Sequence, residues 1–157
     1  MANNYRSFKE VVELFETACD DNLVVNTFKS GTIDKLDSSL QNVEYPYVFL
    51  RPMSSAGLQQ DANGRSAETR QLQFEMYSLD IPKLTESDYL GVMGDTEQTI
   101  YDLVSYFTLG DYQQDTFVNL VNITPVNEAF NDRVYGWVAL ITYTEEGVYN
   151  YCDYPAV

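Results

Sequence analysis

Histidine is missing from all 157 residues, cysteine occurs twice, and 9 Lys and Arg stand against 24 Asp and Glu, for a formal charge of −15. Each shortage excludes some chemistry. Without histidine there is no Ser-His-Asp triad, no Cys-His dyad, no imidazole base and no His-ligated zinc. The scarcity of cations argues against a nucleic-acid or anionic-membrane surface, because both need clustered Lys and Arg to replace counterions. Cys19 and Cys152 have no paired spacing. They read as free thiols of a protein made in a reducing cytoplasm, with a lone long-range disulfide as the alternative. The opening MANNYRSFKE has no apolar core and no stretch approaches ~18 apolar residues, so neither a secretion signal nor a membrane span is expected. Repeats and low-complexity tracts are absent as well.

What is present is the make-up of one folded domain. Apolar residues form 45% of the chain and aromatics 14%, with 13 Tyr, a content that disordered acidic segments lack. A chain of this length buries about 68–70% of its unfolded surface, enough to fold without a metal or disulfide. The charge is uneven. Residues 1–83 carry 12 acids and 8 bases, net −4, whereas residues 84–157 carry 12 acids and Arg133 alone, net −11. One strongly negative face is therefore expected.

Ser7 and Glu10 have capping-box spacing, and Phe8, Val11, Val12, Phe15, Ala18 and Cys19 share one stripe, which predicts an amphipathic helix over 7–19, ended by Asp20-Asp21. The β-branched run 23–28 predicts a strand closed by Ser30-Gly31. Residues 29–44 read as a polar connector anchored by Ile33, Leu36 and Leu40. A short strand, YPYVFLRP, follows between prolines. Asn63-Gly64 is a strong two-residue turn signal inside a polar stretch, and residues 66–79 alternate with Leu72, Phe74 and Met76 on one face. Together these predict a polar hairpin arm at about residues 55–68 that runs into the sheet. Thr85 and Asp88 cap a second helix with Met93, Ile100, Leu103, Val104 and Phe107 inward, Gly91 and Gly94 loosening its start and Gly110 ending it. Two strands follow, 117–124 and 133–143. In the last, Tyr135, Trp137, Ile141 and Tyr143 oppose Val134, Val138 and Leu140, so the strand is central or offers an aromatic face to a partner. Glu145-Glu146-Gly147 reads as a turn into an aromatic-acidic tail at about residues 146–157. The expected fold is α+β: a single domain with one mixed or antiparallel sheet, two helices on one face and a projecting β-hairpin arm.

No catalytic, cofactor or metal site emerges. Asp20-Asp21 lacks converging oxygen partners, and Asp34 and Asp37 lack the loop spacing and terminal Glu of a calcium site. Gly91-Val92-Met93-Gly94 follows no strand and precedes no Lys-Ser/Thr, so it is not a phosphate loop. The cysteines have no neighbouring base.

In order and kind, an amphipathic first helix, LVVNTFKSGTIDKLD, YPYVFLRP, a polar arm running into RQLQFEMYSLD, the helix TIYDLVSYF and the closing strand VYGWVALITY resemble a group of small tailed-bacteriophage proteins. These are the neck and tail-completion proteins of the tail terminator or head-tail joining type. The resemblance covers most of the chain and implies a non-enzymatic virion subunit, assembled in the host cytoplasm without a cofactor. It implies a ring, usually a hexamer, that caps the tail tube, joins it to the head-side connector and lets DNA pass without binding it. On this view Gln59, Gln60, Asn63, Gly64 and Arg65 of the arm, with Tyr135 and Trp137, make contacts between subunits. Asp95, Glu97, Asp111 and Asp115 face the lumen, where like charge keeps phosphates from adsorbing. The alternative is a soluble acidic binding module, either a secretion-type chaperone or a DNA-mimic inhibitor.

Overall fold

The computed structural model describes residues 6–40, 42–60, 66–82, 88–109, 116–126 and 134–150, with side chains at 53–60, 66–68, 109 and 146–150 left aside. In chain order the elements are α1 (Phe8–Asp20), β1 (Thr27–Ser30), α2 (Ile33–Ser39), β2 (Tyr47–Gln60), β3 (Ser66–Asp80), α3 (Asp88–Leu109), β4 (Thr116–Val126) and β5 (Tyr135–Asn150). The fold is α+β, with one mixed five-stranded sheet of order β1-β2-β3-β5-β4. Only β1 and β2 are parallel. A parallel pair needs a crossover, and α2 lies within it.

The helix count differs from the expected two. α2 occupies what reads as a polar connector, because Thr32 caps it by accepting a hydrogen bond from the Lys35 amide and Leu36 is buried on its inner side. Seven residues are too few to display helical periodicity. α1 forms as its sequence dictates, with the Ser7 hydroxyl accepting from the Glu10 amide and the Glu10 carboxylate accepting from the Ser7 amide. α3 is continuous through Gly91 and Gly94. Neither glycine has anything within 4 Å of where a Cβ would sit, so only helix propensity is lost there.

Alternation along the strands divides the core. Val48, Leu50, Phe74, Met76, Ala139, Ile141 and Tyr143 form one cluster with Val11, Phe15 and Ala18 of α1 and Ile100, Leu103 and Phe107 of α3. Phe15 is its aromatic centre, with ring centroids 4.9 Å from Phe107 and 5.4 Å from Phe74. Tyr47, Phe49, Tyr77 and Leu79 belong to the opposite set and pack with Leu36 and Leu40 at α2.

Two boundaries depart from expectation. β1 begins at Thr27, not Leu23; Leu23 is 100% exposed and Val24 51%. At the other end Glu145-Glu146-Gly147 is no turn and residues 146–150 are no tail: β5 runs through them to Asn150, in register with β3 as far as Ser66↔Asn150. β2 follows β3 to Gln60↔Ala67, whereas β4 starts opposite Glu145. Three strands therefore continue past the end of the fourth. The Asn63-Gly64 turn expected to join β2 to β3 lies outside the described residues.

Gly136 sits in β5 between β3 and β4 at φ +157°, where an added Cβ would lie 1.9 Å from the Ser78 carbonyl oxygen. The nearest atoms are all backbone of β3, at Ser78 and Leu79, so no side-chain shift relieves the clash. Gly136→Ala should therefore destabilise the fold by about 3 kcal/mol, read as a lowered urea midpoint, while Gly91→Ala in exposed helix should raise it.

Candidate functional site

The most connected polar group among the described residues lies where β4 ends and the other strands go on. Arg70, Glu145 and Thr116 are direct cross-strand neighbours on β3, β5 and β4. Glu145 is 1% exposed. Its Oε1 accepts from the Arg6 backbone N–H at 3.0 Å and from Arg6 Nη1 at 3.2 Å, and its Oε2 accepts from the Tyr143 hydroxyl at 3.1 Å. Arg6 Nη1 also donates to Thr116 Oγ1 at 3.1 Å, and Arg70 Nη1 donates to the Arg6 carbonyl. The residue preceding the first helix is thus tied to three strands.

These partners make the carboxylate a clasp between the segment before α1 and the sheet. Both oxygens are engaged, and no group of three or more His, Cys, Asp or Glu among the described residues could hold a metal ion. Burial pushes the Tyr143 phenol up to about 12, with Glu145 adding to the rise and Thr116 and Arg6 opposing it. Cys19 is buried in the core, and burial followed by the nearby Asp20 and Glu16 pushes its thiol up to about 12, which leaves it protonated and a poor nucleophile.

No protein-family model matches the chain, and no curated protein matches its sequence.

The residues singled out from sequence fall in several places. Gln59 and Gln60 end β2, in register with Thr69 and Ala67. Asn63, Gly64, Arg65, Asp111 and Asp115 lie outside the described residues. Tyr135 is half-buried, its ring 5.0 Å from Tyr89 in a T-shaped pair. Trp137 packs against the α1/α3 core and donates its indole N–H to the Met93 carbonyl at 2.8 Å, so its polar edge is engaged under α3. Asp95 is exposed on α3, and Glu97 accepts the Tyr101 hydroxyl at 2.7 Å, which raises the Tyr101 pKa. α3 carries Asp88, Asp95, Glu97 and Asp102 and no Lys or Arg across its 22 residues.

Arg6 and Glu145 were not among the residues singled out. Their signal was present: Glu145 continues the inward series Trp137, Ala139, Ile141, Tyr143 in strict alternation, which places a carboxylate inside and demands a cation.

Two outcomes follow. Arg6→Ala strips the charged partner from a buried carboxylate and should cost about 3 kcal/mol, seen in equilibrium denaturation, whereas Lys9→Ala, which removes an exposed pair with Glu13, should cost close to nothing. The second concerns alkali. Tyr77 is likewise pushed up to about 12 by burial, with its hydrogen bond to Glu75 adding and Arg51 opposing. An unfolded phenol ionises near 10, so between about pH 10 and about pH 12 the unfolded chain holds fewer protons and stability falls as pH rises. Tyr77→Phe, which has no proton to lose, should flatten that fall in denaturation midpoints measured across the window.

Proposed function

We propose that the chain is a non-enzymatic virion subunit of the tail-terminator or neck type, which closes into a ring, six-fold in the resemblance, between tail tube and head-side connector. The observation that carries this reading is the run of β2, β3 and β5 beyond β4. Five residues of β5, 146–150, stay paired with β3 after β4 has ended, about 17 Å of three-stranded ribbon. A ribbon that leaves the packed sheet is an arm suited to a neighbour's surface, and Gln59 and Gln60 lie on it. Ring closure needs such heterologous contacts, in which one surface of a subunit meets a different surface of the next. The subunit contact belongs to this arm more than to Trp137, whose indole is occupied under α3.

Charge supports the same reading. Asp88, Asp95 and Asp102, seven residues apart, run along one line of a 22-residue helix that carries no base, with Glu97 about half a turn round, and in the proposed ring this helix lines the lumen. Double-stranded DNA slides past such a wall, since nothing on it replaces the phosphate counterions. Tail-tube and connector proteins are the implied partners, and no helix among the described residues is long and apolar enough to cross a membrane.

Native mass measurement of the purified chain, alone and with a tail-tube protein, tests the proposal. A species at six times 18.0 kDa, with rings in electron micrographs, is the expected result. A monomer at every concentration and in the presence of the tube protein would overturn it.

A further inference from the structure

Among the described residues the sheet ends in two edge strands. β1 flanks β2 on one side and β4 flanks β5 on the other. Among the described residues, β4 has no second strand, and none of residues 117–126 takes part in a backbone hydrogen bond outside its ladder with β5. β4 is 11 residues long and β1 only 4. A long bare edge is a template for another strand, and most proteins blunt it with charge. Here β4 carries no charge, and its blunting is limited to the bulge between Leu120 and Asn122 and to Pro125 beyond it. The two edge strands, TFKS and TFVNLVNITPV, hold none of the chain's 24 acids, and Lys29 is their one charged residue. In a molecule of −15 these edges can approach a second copy without setting carboxylates against carboxylates.

Exposed apolar side chains gather at the same two places. Leu23 at 100% and Val24 at 51% lead into β1, while Phe117 at 44% and Val121 at 55% lie on β4. Leu23, Val24 and Val25 also belong to a β-branched run with strand composition that continues through Phe28, yet the sheet uses it only from Thr27. β2 starts at Tyr47 opposite Thr27, so it offers no strand beside residues 23–26.

Strand direction supplies the geometry. β1 and β2 run one way, β3 the other, β5 again with β2, and β4 again with β3. The two outermost strands are therefore antiparallel to each other. Rotating a copy about an axis along the strands preserves every direction and brings its β1 antiparallel to the first copy's β4, with the helical layers on matching sides.

We infer that β4 of one copy adds to the β1 edge of the next, with the run 117–120 that precedes the bulge at Val121 pairing antiparallel with β1, Thr27–Ser30, so that the sheet continues from subunit to subunit. The occupant of each edge is a second copy of this chain. The contact is heterologous, as a closing ring requires, and it covers Leu23, Val24, Phe117 and Val121. It rests on the ring reading above and names the seam within that ring.

Because the contact is head-to-tail, two crippled edges complement each other. Phe117→Asp/Val121→Asp spoils β4 and Leu23→Asp/Val24→Asp spoils the β1 side, all at exposed positions. Native mass should show each variant alone losing the assembled species entirely. An equimolar mixture should stop at a dimer of twice 18.0 kDa, joined through the one intact β4 and the one intact β1. Either variant assembling like the parent, the β1-side variant dimerising alone through a two-fold β4 pair, or a mixture that stays monomeric would overturn the inference while the parent's rings leave the ring reading standing. A parent that never assembles removes both. Hydrogen exchange on the unaltered chain gives an independent reading: slower exchange at residues 27–30 and 117–120 on concentration is expected, and unchanged exchange at both overturns the seam.

Discussion

Glu145 lies inside the protein and must be matched there, and much of the architecture at that end follows from the requirement. An ion pair removed from water gains little unless its remaining hydrogen-bonding positions are also filled. Here Arg6 supplies both its backbone N–H and its guanidinium, Tyr143 supplies a hydroxyl, and Thr116 takes another of the guanidinium's donors. These groups come from the segment before α1, from β5 and from β4, so satisfying one carboxylate fixes the relative position of three pieces of chain distant in sequence. Arg70 adds the fourth by holding the Arg6 carbonyl from β3. The Ser7 cap begins one residue later, so the clasp also sets the point from which α1 enters across Phe74, against which Phe8 stacks and Phe15 packs at a tilt.

Much of this was legible in sequence where the signals are local. The capping box of α1 and the alternation of β3 and β5 follow from spacing alone, and they name most of the core residues, although Phe8 of the α1 stripe is 48% exposed. Three features were not legible, each for a reason. α2 is seven residues of mostly polar chain whose one strong signal is the Thr32 cap, and its helix is stabilised by Leu36 and Leu40 meeting Tyr47 and Phe49, contacts that sequence does not display. The Glu145-Glu146-Gly147 stretch has turn composition, and pairing with β3 overrides it. The run at Leu23 errs the other way: its propensity is for strand, but a strand needs a partner, and β2 does not reach that far. Of the arm residues, only Gln59 and Gln60 fall among those described. The buried clasp escaped because a Glu-Glu pair near a glycine resembles solvated chain until its phase in the strand is counted.

The distribution of charge is more informative than its total. Net charge keeps copies of a protein apart through long-range repulsion, screened over about 8–10 Å at ordinary salt. In the ring we propose, a subunit of −15 must therefore keep its seams clear of acid and place the acid elsewhere. α3 holds acids without a base, and the two edge strands hold none. In that proposed ring, repulsion disfavours approach through the acidic helix and leaves the edge strands open to a neighbour, so the same charge that opposes non-specific association favours a contact geometry.

The ribbon beyond β4 and the edges also constrain one another through the sheet. β5 carries both: its first two-thirds are locked between β3 and β4, and its last residues continue into the ribbon with β3. A strand is stiff along its length, so the ribbon's direction is set by the packed portion, and the clasp at Glu145 sits where free bending would begin. With Arg6 tying the row Arg70, Glu145, Thr116 to the helical layer, the orientation of the ribbon and the position of the β4 edge become one rigid relation. Ring closure depends on such a relation. A heterologous contact repeats at a constant angle only if the two surfaces that make it keep a constant angle within each subunit, and a few degrees of looseness per copy would yield an open helix in place of a ring. A buried ion pair that adds little net stability is well suited to this task, because it tolerates one geometry and penalises the rest.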